Sequence, residues 1–147
     1  MTDGRIPHSP EAGSLAGLLV SVCSFGYLRS GIPPNPHGNG GGFVFDCRLF
    51  KNPGREERFR NRNGLDADVA AFLEGDPEVG AFLDHAQALL DPVLRSYASR
   101  GYAHLQVCFG CTGGQHRSVY CAERMAERLR ALGARVELLH REQGVWW

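Results

Sequence analysis

The residues best able to do chemistry lie in one stretch, VCFGCTGGQHRS at positions 107–118. An apolar run stops, Gly113 and Gly114 follow, and a helical pattern begins near Arg117. Glycines let successive backbone N–H groups turn inward as an anion-binding nest. A helix N-terminus adds roughly half a positive charge at the same place. Thr112 and Ser118 supply hydroxyls, Gln115 an amide, and His116 and Arg117 directed donors. The arginine fork suits phosphate oxygens. The stretch therefore predicts a phosphate or carboxylate ligand held by Cys111, Thr112, Gly113, Gly114, Gln115, His116, Arg117 and Ser118. A plain strand-to-helix turn is the blander alternative.

Two catalytic readings share this stretch. Cys111, five residues, then Arg117 and Ser118 is the spacing of cysteine-dependent phosphatases. In that chemistry a thiolate attacks phosphorus while loop amides and the arginine hold the equatorial oxygens. The helix end would lower the thiol pKa. Gly110 stands where those enzymes usually carry histidine, and no general-acid Asp loop follows, although Asp46 and Asp66 exist. Cys108 and Cys111 also form Cys-x-x-Cys, but a redox pair begins at a helix start and Cys108 falls on a strand. A zinc site would want a second pair of suitable spacing. The expectation is no metal and no cofactor.

The elements that must position the loop follow from hydrophobic periodicity. Strands are predicted over 18–27, 42–50, 103–109 and 135–140. A Pro/Gly loop spans 29–42, a charged loop 51–63, and a short helix starts after Asp66, a suitable N-cap. The longest helix runs over 77–99, capped by Asp76, with Pro77 at its first position and a kink expected at Pro92. Its inward set is Val79, Phe82, Leu83, Ala86, Leu89, Leu90, Val93, Leu94 and Tyr97. The last helix covers 117–132 with Val119, Ala122, Ala126 and Leu129 inward and Gly133 as its stop. Residues 103–140 form a plausible βαβ unit, and such units bind ligands at the C-terminal ends of their strands. The fold class is α/β: one three-layer domain over 17–147 with a small mixed or parallel sheet of four strands, preceded by a flexible leader over 1–16.

Composition bounds the function. The chain has 147 residues, 43% hydrophobic, with 16 Lys and Arg against 16 Asp and Glu. That length suits one domain with a real core. A zero balance argues against gripping nucleic acid by a bulk positive field. Locally, Arg48, Lys51, Arg55, Arg58, Arg60 and Arg62 face only Glu56 and Glu57, a net of +4. This patch makes RNA a candidate partner through Arg55, Arg58, Arg60 and Arg62, joined by His140 and Arg141 at the last strand end. A solvated charged loop is the alternative. His85 is expected at the surface, His104 in the core or at its rim, and His37 in a mobile loop. The five cysteines are scattered and read as buried, reduced thiols of a cytoplasmic protein. No apolar run approaches the ~20 residues of a membrane span, and no secretory signal is visible. Trp146 and Trp147 are expected to pack on the domain, with a dimer contact or base stacking as alternatives.

Residues 110–120, GCTGGQHRSVY, closely resemble the signature of the RNase adapter protein RapZ family in its C-terminal domain. The resemblance extends through Ser24–Phe25–Gly26, Gly31–Ile32–Pro33, Phe45–Asp46–Cys47–Arg48, Asn52–Pro53, Gly64–Leu65–Asp66, VAAFL at 69–73 and His140–Arg141. It implies a domain like a subdomain of phosphofructokinase. It also implies a regulatory module that senses glucosamine-6-phosphate, binds a small RNA and adjoins a P-loop kinase-like domain. No G-x-x-x-x-G-K-[ST] occurs in these 147 residues, so a stand-alone domain is expected, with a homo-oligomer or a separate kinase-like protein as partner. By motif match the phosphate pocket would be Cys111 to Gly114 and His116 to Ser118, with Ser24, Asp46 and Arg48 reaching the sugar. Three features depart from the pattern: Gly54 replaces a histidine, the segment 35–42 is inserted, and the tail after Arg141 is not basic. The leading expectation is a non-catalytic binding module. A phosphatase or phosphotransferase using Cys111 and Arg117 is the alternative, and an interaction domain with a vestigial pocket is the third.

Overall fold

The computed structural model describes residues 14–146, and part of the expected leader, 1–13, lies outside the described residues together with Trp147. Four strands form one sheet: β1 (Leu19–Gly26), β2 (Phe43–Asp46), β3 (His104–Cys111) and β4 (Arg135–His140). Their order is β2-β3-β1-β4, and every pairing is parallel. The helices are α1 (Glu57–Arg60), α2 (Ala67–Glu74), α3 (Pro77–Ser99) and α4 (Arg117–Ala131). The α/β class and the four-stranded sheet are as expected.

Strand alternation sorts the side chains to two faces. Val20, Val22, Leu105, Val107 and Phe109 join Leu83, Leu90, Met125 and Leu129 in the main core on the helical face. The other face carries a second small cluster of Cys23, Phe25 and Cys108, with Tyr27 packed on it. The third layer is irregular chain rather than helix. Gln106 donates to the Pro33 and Pro34 carbonyls at 3.5 and 3.3 Å, and Asn39 donates to the His104 carbonyl at 3.0 Å. His37, expected to be mobile, stacks on the buried His104 with ring centroids 3.2 Å apart. His85 is exposed as expected. All five cysteines are buried and free.

Several boundaries differ from the sequence expectation. The second strand stops at Asp46, because after Cys47 donates to the Gly110 carbonyl at 2.7 Å the chain leaves the sheet. The stretch 51–63 is not a plain loop. Asn52 caps a 3-10 turn at Pro53–Arg55 through the Gly54 N–H at 2.9 Å, and α1 buries Phe59. Asp66 stands at the N-cap of α2, yet its carboxylate accepts from the Asn63 N–H at 2.8 Å instead of capping the helix. α3 matches its expected span and runs unbroken through Pro92, which faces solvent. Leu15 is buried in the main core, so ordered packing begins inside the expected leader.

Leu89 corrects the inward set of α3. It is 58% exposed, whereas Leu90 is fully buried. One helical stripe cannot turn two successive residues equally inward. Leu90→Ala is expected to lower stability by about 2–5 kcal/mol through the cavity it leaves. Leu89→Ala should stay within about 0.5 kcal/mol. Urea unfolding of both variants checks this, and equal losses would contradict the facing of α3.

Candidate functional site

All four strands end at one edge, with Gly26 opposite Cys111, Asp46 opposite Gly110, and His140 opposite Ser24. The segment 112–116 crosses that edge between β3 and α4. Its path is set by backbone-on-backbone contact. A Cβ on Gly26 would meet the Gly113 carbonyl carbon at 2.6 Å. One on Gly114, whose φ is +69°, would meet Glu142 Cγ at 2.5 Å and the Gly26 nitrogen at 2.6 Å. Only glycine fits both requirements at Gly114. Tyr27 and Leu28 N–H groups then donate to the Cys111 and Thr112 carbonyls at 2.8 and 3.1 Å, extending the sheet into the loop.

Several residues expected to touch an anion have hydrogen bonds that hold this loop in place. Gln115 donates its amide to the Arg60 and Arg62 carbonyls at 3.1 and 2.7 Å. His116 donates Nε2–H to the Phe59 carbonyl at 2.8 Å, and burial pushes its pKa below the ordinary histidine range. A neutral imidazole so engaged is a clamp on α1. Ser24 is fully buried and its hydroxyl lies 2.6 Å from His140 Nδ1, while His140 Nε2 lies 2.7 Å from Glu123. Both ring nitrogens of His140 are therefore occupied. Asp46 and Arg48 sit at the strand edge but bind each other, at 2.7–3.2 Å, and the Arg48 fork holds the Asp46 carboxyl below the usual carboxylate range.

Arg117 is different. It is 5% exposed, and its Nη1 donates to the Arg48 and Phe50 carbonyls at 3.2 and 3.1 Å. Its Nε is buried with no partner among the described residues. Two adjoining cavities share Arg117, Thr112 and Asn52 as lining. The smaller, about 180 Å³, is floored by Cys111, Thr112, Gly113, Gln115 and His116. The larger, about 500 Å³, adds Arg48, Phe50, Lys51, Arg55, Glu56 and Phe72. His116, the N-cap residue of α4, makes no side-chain cap, and it lines the smaller cavity together with Arg117 at the first position of the helix. Cys111 donates its thiol to Ser118 Oγ at 3.2 Å beneath the loop.

The strand also settles the Cys-x-x-Cys spacing. Cys108 joins the cluster with Cys23, and Cys111 joins the main core on the opposite face. Of the cationic candidates, Arg58 pairs with Glu56 at 3.0 Å, and Arg62 pairs with Asp68 at 3.2 Å. Arg60 donates to the Gly54 carbonyl at 3.5 Å, whereas Arg55 and Arg141 are exposed. Among the described residues no group of three or more metal-ligating side chains assembles. No described helix is long and apolar enough to cross a membrane.

Sequence reasoning missed Glu142. It is 4% exposed, and its carboxylate accepts from the Gly26 and Ser30 N–H groups at 3.0 and 3.1 Å and from the Ser30 hydroxyl at 2.9 Å. Trp146 packs beside His140 and donates Nε1–H to the Gly114 carbonyl at 2.9 Å, as the packing expectation had it. Burial raises the Glu142 pKa, but those hydrogen bonds outweigh it and hold the carboxyl below the glutamate range. Its contribution is thus complete above the unfolded value of about 4.3 and fades as pH falls through the lower folded value. Glu142→Gln should be less stable at pH 7 and lose less on acidification. Thermal unfolding between pH 7 and pH 3 checks this, and parallel declines for both proteins would contradict it.

Comparison with known proteins identifies the family of the chain. The model of the RapZ C-terminal domain matches residues 18–144. A nucleotide-binding protein of Ruegeria pomeroyi is 42% identical over 134 residues, 91% of this chain and 44% of its own length. Nucleotide-binding proteins of Rhodospirillum rubrum and Halorhodospira halophila are 39% and 43% identical over 93% and 89% of this chain. The chain spans 39% and 44% of those two proteins, less than half of each. Strand edge, glycine-packed loop and buried arginine thus lie inside the matched region, and the chain belongs to the RapZ C-terminal domain family.

Proposed function

We propose that this domain is a regulatory binding module for a small phosphorylated molecule, held where residues 111–118 cross the sheet edge. The observation that carries the reading is the Arg117 guanidinium, buried yet lining both cavities, with an Nε that has no partner among the described residues. An anion in the smaller cavity would lie against this guanidinium, and a small turn of the side chain would bring Nε, whose unmet hydrogen bond costs about 1–3 kcal/mol, to face it. Thr112, which lines the same cavity, and the positive end of the α4 dipole would add to its hold. A sugar phosphate such as glucosamine-6-phosphate suits this arrangement, with Arg48 beside the sugar. In this reading Gln115, His116, Ser24 and Asp46 position the loop and its rim. Any RNA contact falls to Arg55, Arg60 and Arg141, because Arg58 and Arg62 are paired and the His140 ring is engaged. Assembly with a second copy or a kinase-like protein, in the cytoplasm, completes the proposal.

One contact bears on the phosphatase reading: the Cys111 thiol donates to Ser118 Oγ at 3.2 Å, and on loss of the thiol proton the same hydroxyl could turn to donate to the thiolate. The two readings separate in one experiment. Calorimetry with inorganic phosphate should show Arg117→Ala weakening binding at least about tenfold. Thr112→Val, which touches no structural bond of Arg117, should weaken it by about threefold. Cys111→Ser should keep its affinity. Unchanged binding in both folded variants, Arg117→Ala and Thr112→Val, would contradict the anion site. Turnover of a phosphate ester abolished by Cys111→Ser would establish the enzyme instead.

A further inference from the structure

The cleft over Arg117 is two-lobed, and its lobes differ in what they offer. The smaller is walled by the loop, Arg117, Asn52, Gly54 and the exposed Arg60, which donates to the Gly54 carbonyl. The larger is lined by Phe50 and Phe72 and by the cations Arg48, Lys51 and Arg55 as well as Arg117. Pairing around it is selective. Arg48 is bound to Asp46, Arg58 to Glu56, and Arg62 to Asp68. Lys51 and Arg55, which line the larger lobe, are exposed and have no acidic partner among the described residues. The one carboxylate lining that lobe, Glu56, is already occupied by Arg58. The larger lobe therefore presents two unneutralised cations to a cavity of about 500 Å³, far more room than one phosphate group fills.

We propose that the domain takes a ligand with two anionic groups, one on Arg117 in the smaller lobe and one on Lys51 and Arg55 in the larger, joined by a compact polar body. A sugar carrying two phosphates has this chemistry. The proposal rests on the anion site argued above and adds the second group. Arg117 acts through a buried, preformed contact, whereas Lys51 and Arg55 act as mobile surface charges that close on the far end. The first contact thus sets position, and the second discriminates bisphosphorylated from monophosphorylated ligands.

The test is calorimetry of the whole chain with inorganic phosphate, glucose 6-phosphate and glucose 1,6-bisphosphate. The bisphosphate should bind at least about tenfold tighter than the monophosphate. In the double variant Lys51→Ala, Arg55→Ala that advantage should vanish, with inorganic phosphate and glucose 6-phosphate unchanged within about twofold. Both positions are exposed, so folding should be retained. Arg95→Ala removes an exposed cation of α3 outside both lobes and should leave the advantage intact. Equal binding of the two sugars, or an advantage that survives the double variant, overturns the second subsite while the anion site stands. An advantage erased equally by Arg95→Ala also overturns it, because a general positive field would then be the cause. Failure of all three compounds to bind overturns the anion site itself.

Discussion

The organising constraint of this domain is the contact of two glycine backbones. Gly26 ends β1 and Gly113–Gly114 follow β3, and their main chains approach so closely that no side chain fits between them. Parallel pairing brings Gly26 opposite Cys111, which aims the loop at that point. Gly26 has no further strand to donate to, and the Glu142 carboxylate takes its N–H from the far end of the chain. A buried carboxylate is costly unless its hydrogen bonds are satisfied, and three donors satisfy this one. The tail is thus part of the loop's support, as the bond from Trp146 to Gly114 also indicates.

The clamps from the other side explain why so many polar residues of the motif are buried. Gln115 and His116 reach carbonyls of the segment 59–62, and Gly64 lies against the first turn of α4. These residues spend their hydrogen bonds on backbone, which is how a loop of irregular conformation stays rigid. Arg117 does this with Nη1, while its Nε has no partner among the described residues. A loop clamped in this way has little conformational freedom left to lose on binding, which is what the proposed anion site requires.

Much of this was legible in the sequence. The bounds of α3 and β4 follow from apolar period, the Asp76–Pro77 start and Gly133. The glycine loop ahead of α4 was readable because its residue types are unusual for any other purpose. Roles within the loop were less so. Polar residues near a predicted ligand all read as ligand contacts, yet the acceptors that occupy Gln115 and His116 lie more than fifty residues away in sequence. Glu142 was unreadable for the same reason, since a carboxylate that closes a turn 116 positions earlier leaves no local pattern. α1 was hidden by its charge, with Phe59 its single buried residue. The strap over the second sheet face was hidden because prolines and glycines report only the absence of regular structure, not what the segment covers.

The central claim is that the first turn of α4 and the Arg117 side chain bind an anion together. Amide chemical shifts of the nitrogen-15-labelled domain during titration with inorganic phosphate address it residue by residue. Saturable shifts concentrated at Thr112, Gly113 and the amides of residues 115–118, with the Arg117 Nε–H resonance moving in step, are the predicted result. Shifts confined to scattered surface lysines and arginines, with residues 112–118 unmoved, would contradict it.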